Sequence, residues 1–132
     1  MNNESLQGHF AHAVTRAANS KKVEQLLKEG ADPNVVLSYG FAGYITPVAH
    51  CIRYNKIEML DILLKDPRTD LSNHKCFHEG APHGIWFAVK FDDFVKRQAT
   101  PEIVAMIQAA RNKRKGLEQR QARELKSLRF KI

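Results

Sequence analysis

The chain has 132 residues, enough for one domain with a modest core, and its apolar share of 43% is ordinary for a globular protein. Its 21 Lys and Arg against 14 Asp and Glu give a formal net charge of +7, and no apolar run approaches the length of a membrane span. The N-terminus lacks the charged-then-apolar layout of a signal peptide, and the two cysteines do not suggest a disulfide framework, so an intracellular, cytoplasmic location is expected.

The first helix pair follows a short polar segment. Residues 1–8 are expected to be flexible, and helices are predicted at 9–18 and 20–29. The second of these helices ends at Gly30, which is followed by A-D-P-N. Glycine readily takes the left-handed conformation that ends a helix, and Asp-Pro-Asn begins a turn. A long, hairpin-like connection rich in aromatic residues then covers 31–45.

The second helix pair is predicted at 46–54 and 56–65. It opens with Thr46-Pro47, where threonine can cap the helix and proline occupies a position that needs no N–H partner. Each helix carries apolar residues at i, i+3 and i+4 but is too short to be stable alone. The helices must therefore pack their apolar stripes against neighbouring copies.

Such copies exist at a spacing of 37 residues. Segment 11–16 aligns with 48–53, and 48–53 aligns with 85–90. The third copy departs from the pattern, because an insertion of seven residues, within 91–100, precedes its second helix at Thr100-Pro101. Phe91, with Phe94 and Val95, is expected to close the core there.

These features resemble the ankyrin-repeat family over residues 9–109. The family's T-P-L-H-x-A has its counterpart in T-P-V-A-H-C from Thr46, its second helix in 57–64, and its loop in G-A-D-P-N from Gly30. The resemblance implies an all-α fold, an ankyrin-repeat solenoid of about three helix-turn-helix repeats with long hairpin-like loops and a C-terminal basic helix. It also implies a non-catalytic scaffold for protein–protein interaction that works through a concave groove and finger loops.

Equivalent positions of a solenoid stack side by side, so the 37-residue spacing predicts what lines the groove. One column is basic in all three copies, and neighbouring columns carry aromatic residues, which suits an acidic, partly apolar peptide. Chance together with ordinary helix solubility is the alternative explanation of the basic column, and the aromatic residues of the first loop can instead fold back on the next repeat. The predicted partner-binding residues are Arg16, Tyr39, Phe41, His50, Arg53, Tyr54, Phe87, Lys90 and Phe91.

The second long connection, 67–83, concentrates imidazole and thiol groups. In an extended strand, alternate residues point to one face, and these side chains are zinc ligands. Ligands spaced as in a C-x-x-C knuckle are missing, however, so a plain loop is favoured and no cofactor is expected. The weaker metal alternative rests on His74, Cys76, His78 and His83.

The last segment, 110–132, differs from the rest of the chain in charge, because it contains nine Lys or Arg and two Glu. Leucines at helical spacing predict a basic amphipathic helix, continuous with the last repeat helix or just after it. Four roles remain open: a cap on the last repeat, a helix that binds an acidic protein, a membrane-surface helix, and a nucleic-acid contact or nuclear-import signal. The basic residues assigned to this tail are Arg111, Lys113, Arg114, Lys115, Arg120 and Arg123.

No catalytic motif accompanies these elements. The chain has no phosphate-binding glycine loop and no H-E-x-x-H, and His50 and Cys51 are sequence neighbours, which do not face each other on a helix. We therefore expect a monomer that is not an enzyme, has no small-molecule substrate, and binds a protein partner with an acidic face. The alternatives are an effector-type ankyrin protein that an intracellular bacterium secretes into a host cell, or an adaptor whose basic tail binds a membrane or nucleic acid.

Overall fold

The computed structural model describes residues 3–38, 43–80 and 86–130. Within these ranges the chain forms six helices and four strands. In chain order they are α1 (Asn3–Thr15), α2 (Ser20–Lys28), β1 (Leu37–Ser38), β2 (Gly43–Ile45), α3 (Pro47–Arg53), α4 (Ile57–Lys65), β3 (Lys75–Gly80), β4 (Trp86–Lys90), α5 (Phe91–Gln98) and α6 (Pro101–Phe130).

The helix ends follow their local sequence signals. Thr46 Oγ1 accepts a hydrogen bond from the backbone N–H of Ala49 at 3.4 Å, and Thr100 Oγ1 accepts one from Ile103 at 3.3 Å. Both threonines therefore cap helices that begin with proline. Gly30 has a φ of 108° beyond the end of α2. These predictions of helix starts and stops are confirmed.

The first two copies share their backbone geometry. The three helices predicted within 20–65 are found as α2, α3 and α4, whereas α1 begins at Asn3 and so covers most of the segment 1–8. Ala18, after α1, has a φ of 46°, and Asn55, after α3, has a φ of 54°. Left-handed residues other than glycine are uncommon. Their recurrence 37 residues apart shows that the two helix pairs make the same turn.

The expectation of an all-α fold is wrong, because the four strands form one antiparallel sheet in the order β1-β2-β3-β4. Strand β2 pairs with β3, placing Tyr44 opposite His78 and Ile45 opposite Phe77. The first and second long connections are thus joined through the pairing of β2 with β3. The side chains of Leu37, Ile45 and Phe77 are buried and anchor the sheet on the core. The fold is mixed α and β.

The predicted alignment of the third copy is also wrong. Residues 85–90 are expected to form a helix, but 86–90 form strand β4, which pairs with β3. The sequence W-F-A-V-K is rich in aromatic and β-branched residues, which favour strands once a partner strand is available. Helix α5 forms instead from 91–98, the stretch that the alignment treats as an insertion. Phe91 and Phe94 fall on one face of α5 and are both buried.

One core joins the helices to the sheet. Helix α2 packs on α4, α4 packs on α6, and α3 packs on α5. Among the described residues, Phe10, Phe91 and Phe94 are the bulkiest of its fully buried side chains, and the partly buried Val95 packs against the same core. The prediction that Phe91, Phe94 and Val95 close the core is confirmed.

Two asparagines tie successive loops together. Asn34 Nδ2 donates to the carbonyl of Arg68, and Asn34 Oδ1 accepts from the N–H of Asp70, both at 2.7 Å. Asn73 Oδ1 accepts from the N–H of Asp92 at 2.9 Å. These bonds satisfy backbone groups of the loop after α4, and the free N–H of Asp92 in the first turn of α5. They hold the loop after α2 to the loop after α4, and the latter to α5.

Candidate protein-binding surfaces

The C-terminal end of α3 presents an exposed cation beside aromatic rings. The guanidinium carbon of Arg53 lies 5.2 Å from the ring centroid of Phe77 and 5.9 Å from that of Tyr54. Both distances are within the range of cation–π attraction. Arg53 is exposed and Tyr54 is 50% exposed, so the pair is accessible from solvent. We call Arg53 and Tyr54 the α3 patch.

His50 forms the floor of the α3 patch. Its ring centroid lies 4.7 Å from that of Tyr54, and its side chain is buried. Burial, with the nearby charges of Lys56 and Arg53, lowers the pKa of His50 to about 4. The imidazole is therefore neutral at neutral pH and lies in the core, so its predicted role as a partner contact needs correction.

A second aromatic pair lies on the sheet. Tyr44 and His78 are cross-strand neighbours whose ring centroids are 6.4 Å apart in an edge-on arrangement. Tyr44 is 42% exposed. Because successive residues of a strand point to opposite faces, this pair lies on the face opposite Phe77.

Among the described residues, those of the predicted groove do not stack in equivalent positions. Lys90 is exposed but ends strand β4, whereas Arg53 is helical, so the two do not occupy equivalent positions. Phe91 is 0% exposed and therefore belongs to the core. Arg16 is exposed just beyond the end of α1. The remaining predicted contacts, Tyr39, Phe41 and the side chain of Phe87, lie outside the described residues.

Two of the predicted metal ligands in the second connection, His74 and Cys76, have other partners. His74 Nδ1 donates to the Ser72 carbonyl at 2.9 Å, and its ring stacks on Phe91 with centroids 5.6 Å apart. The thiol of Cys76 is buried, donates to the Val89 carbonyl at 3.7 Å, and has its pKa raised to about 12 by burial. Burial thus opposes the thiolate form that binds zinc.

Strand β3, which carries Cys76 and His78, is also irregular. Its pairing with β4 shifts between Lys75 and Phe77, and Cys76 and Phe77 are both buried, so the simple alternation assumed for 74, 76 and 78 is broken. Among the residues that the structure describes, no group of three or more His, Cys, Asp or Glu side chains is placed to hold a metal ion. His83 lies outside those residues.

Helix α6 is continuous, and the first of its arginines fix it to the core. Arg111 donates to the Leu71 carbonyl through Nε at 3.0 Å and Nη2 at 2.8 Å, and pairs with Asp92 at 2.6 Å. Its guanidinium carbon also lies 5.3 Å from the ring centroid of Phe91. Arg111 thus clamps α6 to the loop after α4 and to α5.

Arg114 has a similar role, about one helical turn further along α6. It donates to the carbonyls of Thr69 and Asp66, the latter at 3.0 Å, at the end of α4. The sequence predicts that Arg111 and Arg114 belong to a basic tail that either caps the last repeat or contacts a partner, and both in fact bind backbone of the same chain. The other basic residues assigned to the tail, Lys113, Lys115, Arg120 and Arg123, are exposed.

A groove that the sequence did not predict runs between α4 and α6. It has a volume of about 350 Å³ and is mainly apolar, with Leu64 and Pro67 on one wall and Met106, Ala109, Ala110 and Leu117 on the other. Lys65, Lys113 and Arg114 lie at its edges, where Lys65 pairs with Asp61 at 2.8 Å. The small side chains of Ala109 and Ala110 were its only sequence signal. We call this the α4–α6 groove.

Comparisons with protein-family models, curated proteins and solved structures find no match for this chain. Of the helices described, none is both long and apolar enough to cross a membrane. Function is therefore inferred from the α3 patch.

Proposed function

We propose that this chain is a non-catalytic interaction module that binds a protein or peptide with an acidic face at the α3 patch. The observation that carries the proposal is the exposed Arg53 guanidinium, held against the rings of Tyr54 and Phe77. Arginine and tyrosine are among the residue types that most often dominate binding energy in protein interfaces. A guanidinium already placed by two rings loses less conformational freedom when it pairs with a carboxylate.

The local charge favours an acidic partner. Lys56 and Arg53 both act on His50, which places two positive charges around the end of α3. Both side chains are exposed, so their charges also reach a molecule that approaches from solvent. A carboxylate of the partner would bind the Arg53 fork while an apolar group covers the Tyr54 ring.

The resemblance to ankyrin repeats supports the same proposal. It is carried by the first two helix pairs, and members of that family act as binding scaffolds. The non-catalytic character is supported by the state of the neighbouring side chains. Cys51 is buried with its pKa raised to about 12, and His50 has its pKa lowered to about 4. At neutral pH the thiol is therefore protonated and a poor nucleophile, and an imidazole with so low a pKa is a weak general base.

The proposal is tested by selecting a peptide ligand with the full chain and measuring its affinity. A displayed library of peptides rich in Asp, Glu and aromatic residues would be selected against the wild-type protein, and the best peptide synthesised for titration calorimetry. Arg53→Ala and Tyr54→Ala are each expected to weaken binding at least tenfold, a loss of about 1.4 kcal/mol. Lys22→Ala, which removes an exposed lysine of α2, is the matched control and should change affinity less than threefold.

Circular dichroism would confirm that each variant keeps its helix content, as expected for exposed side chains. A selected peptide whose affinity is the same for wild type and both patch variants would exclude the α3 patch as its site.

A further inference from the structure

We propose that the face of the sheet turned away from the helices binds single-stranded nucleic acid. One base stacks on the ring of Tyr44, and the phosphates beside that base pair with Lys75 and Lys90. This surface shares no residue with the α3 patch, so the two sites can be tested separately.

Helices α3 and α5 pack against the opposite face of the sheet. The ring centroid of Phe77 in β3 lies 5.5 Å from that of Phe94 in α5, and 5.2 Å from the guanidinium carbon of Arg53 at the end of α3. Side chains alternate along a strand, so His78, the neighbour of Phe77, projects to the other face, together with Tyr44 directly opposite it. We call this second face the outer sheet face.

A row of directly opposite residues crosses all four strands on the outer sheet face. It runs from Ser38 in β1 through Tyr44 and His78 to Ala88 in β4. Ser38 and Ala88 are small and exposed, and Tyr44 is 42% exposed. The edge-on contact with His78 limits the motion of the Tyr44 ring, so less conformational freedom is lost when a base stacks on it.

Two lysines lie beside this row on the same face. Lys75 in β3 and Lys90 in β4 are directly opposite each other, and both are exposed. Lys90 follows Ala88 by two residues, so it projects to the outer sheet face about 7 Å further along β4, and Lys75 lies opposite it. Like charges directly opposite each other destabilise a sheet. A phosphate bound between the two lysines would relieve that repulsion.

The sheet supplies little negative charge of its own. Segments 37–46 and 75–90 contain six of the eleven aromatic residues of the chain but only one acidic residue, Glu79, whose side chain lies outside the described residues. Neither lysine forms an ion pair with a described carboxylate. Asp92 and Asp93 follow in the chain but begin α5, which packs on the opposite face, and Asp92 pairs with Arg111. A ligand therefore has to supply the counter-charge.

The combination of exposed ring and cations favours a nucleic acid over an acidic peptide. Every base has a flat face that can stack on a tyrosine ring, and every base is followed by a phosphate. A four-stranded sheet with exposed aromatic rings is a recurrent platform for single strands, whereas the bases of a duplex are already stacked and paired. The net charge of +7 attracts a polyanion to the whole molecule.

The probes are fluorescently labelled oligomers of about 12 nucleotides, one of deoxythymidine and one of uridine, titrated with the full chain at low salt. Base stacking and phosphate pairing do not involve the 2′-hydroxyl, so both oligomers are expected to bind. A DNA duplex of the same length is expected to bind at least tenfold more weakly. Equal affinity for duplex and single strand would overturn the proposal, because it would show that only charge is recognised.

Substitutions of tyrosine test the stacking. Tyr44→Ala should weaken binding of the deoxythymidine oligomer at least tenfold, while Tyr44→Phe, which keeps the ring, should stay within threefold of the wild type. Tyr54→Ala, which removes an exposed tyrosine of the α3 patch, is the matched control and should also stay within threefold. Equal losses from Tyr44→Ala and Tyr44→Phe would contradict stacking. Circular dichroism would confirm that each variant is folded.

Salt dependence tests the two lysines without relying on the tyrosine variants. For single strands, each phosphate contact contributes about 0.7 to the slope of log affinity against log salt, so Lys75→Ala, Lys90→Ala should reduce that slope by about 1.4. The matched control Arg123→Ala, Lys126→Ala removes the same charge from exposed positions of α6 and should leave the slope unchanged. Equal changes in slope would place the nucleic acid on α6 and overturn the proposal.

Two further outcomes would overturn it. A glutamate peptide of the same net charge that displaces the oligomer at equal concentration would identify carboxylates as the ligand. Wild-type affinity in the double lysine variant would show that these lysines only keep the sheet from pairing with other chains.

Discussion

At the scale of the residue, His50 connects folding to the α3 patch. It supports Tyr54 from below and is kept neutral chiefly by burial, assisted by Lys56 and Arg53. A protonated imidazole would stand buried beside two cations. Its neutrality is therefore a condition for the packed patch.

This makes stability depend on pH. The pKa of His50 is about 6.5 in the unfolded chain and about 4 in the folded protein, so the unfolded state takes up the proton first as pH falls. The contribution of His50 is fully present above pH 6.5 and is lost as pH falls towards 4. We expect a loss of about 1 to 2 kcal/mol between pH 7 and 4.5, after allowance for solvent screening.

Urea unfolding of the wild type and of His50→Gln at several pH values would check this. The variant should be less pH-dependent between pH 6.5 and 4.5, whatever its stability at pH 7. Parallel pH profiles for the two proteins would show that another group is responsible.

At the scale of the element, helix α6 performs two tasks. Its first half packs Ile103 and Ile107 into the core, and its arginines Arg111 and Arg114 bind loop carbonyls. Beyond Leu117 the side chains described are exposed. Arginines of one basic segment therefore differ in role according to whether a loop lies opposite them.

Replacing Arg111 should be destabilising. Arg111→Ala leaves the half-buried Leu71 carbonyl without its charged donor and removes the pair with Asp92, a loss of about 1 to 3 kcal/mol. Arg123→Ala is the matched control, and its free energy of unfolding should change by less than about 0.5 kcal/mol. Chemical denaturation would measure both, and equal effects would contradict a structural role for Arg111.

At the scale of the whole molecule, the sheet and the loop asparagines join helix pairs that are individually short. Strand β2 of the first connection pairs with β3 of the second. The side chains of Asn34 and Asn73 add hydrogen bonds between successive loops and to α5. Each pair thus depends on its neighbour for backbone hydrogen bonds as well as for apolar contacts. Unfolding should consequently be cooperative across the chain.

Two truncations test where this cooperative unit ends along α6. A chain ending at Gly116 keeps Arg111 and Arg114, and the residues that it loses are exposed from 117 to 128, so its free energy of unfolding should stay within about 1 kcal/mol of the full chain. A chain ending at Ala109 loses both clamps and should be less stable by about 3 kcal/mol or more. Thermal and urea unfolding would compare them. If the chain ending at Gly116 were as unstable as the shorter one, the exposed half of α6 would belong to the folded unit.

Much of the local structure was predictable. Thr46, Thr100 and Gly30 set helix boundaries through contacts with residues three or four positions away. Because these contacts are local, the boundaries can be predicted from the sequence. The core role of Phe91 and Phe94 was also predicted correctly. The predicted surface role of Phe91 failed because it was inferred from an alignment of the third copy that the structure does not follow.

The sequence by itself determined the turn and cap chemistry, the 37-residue repeat of the first two helix pairs, and the concentration of charge after residue 110. Tertiary structure alone decided that 86–90 become a strand, since strand formation needs a partner edge, and that edge is supplied by β3. It also decided that Arg111 and Arg114 bind carbonyls some 40 residues away in the chain. Interactions within one helical turn depend on neighbouring residues and can therefore be predicted from the sequence. Pairing between distant segments depends on which surfaces the completed fold brings together.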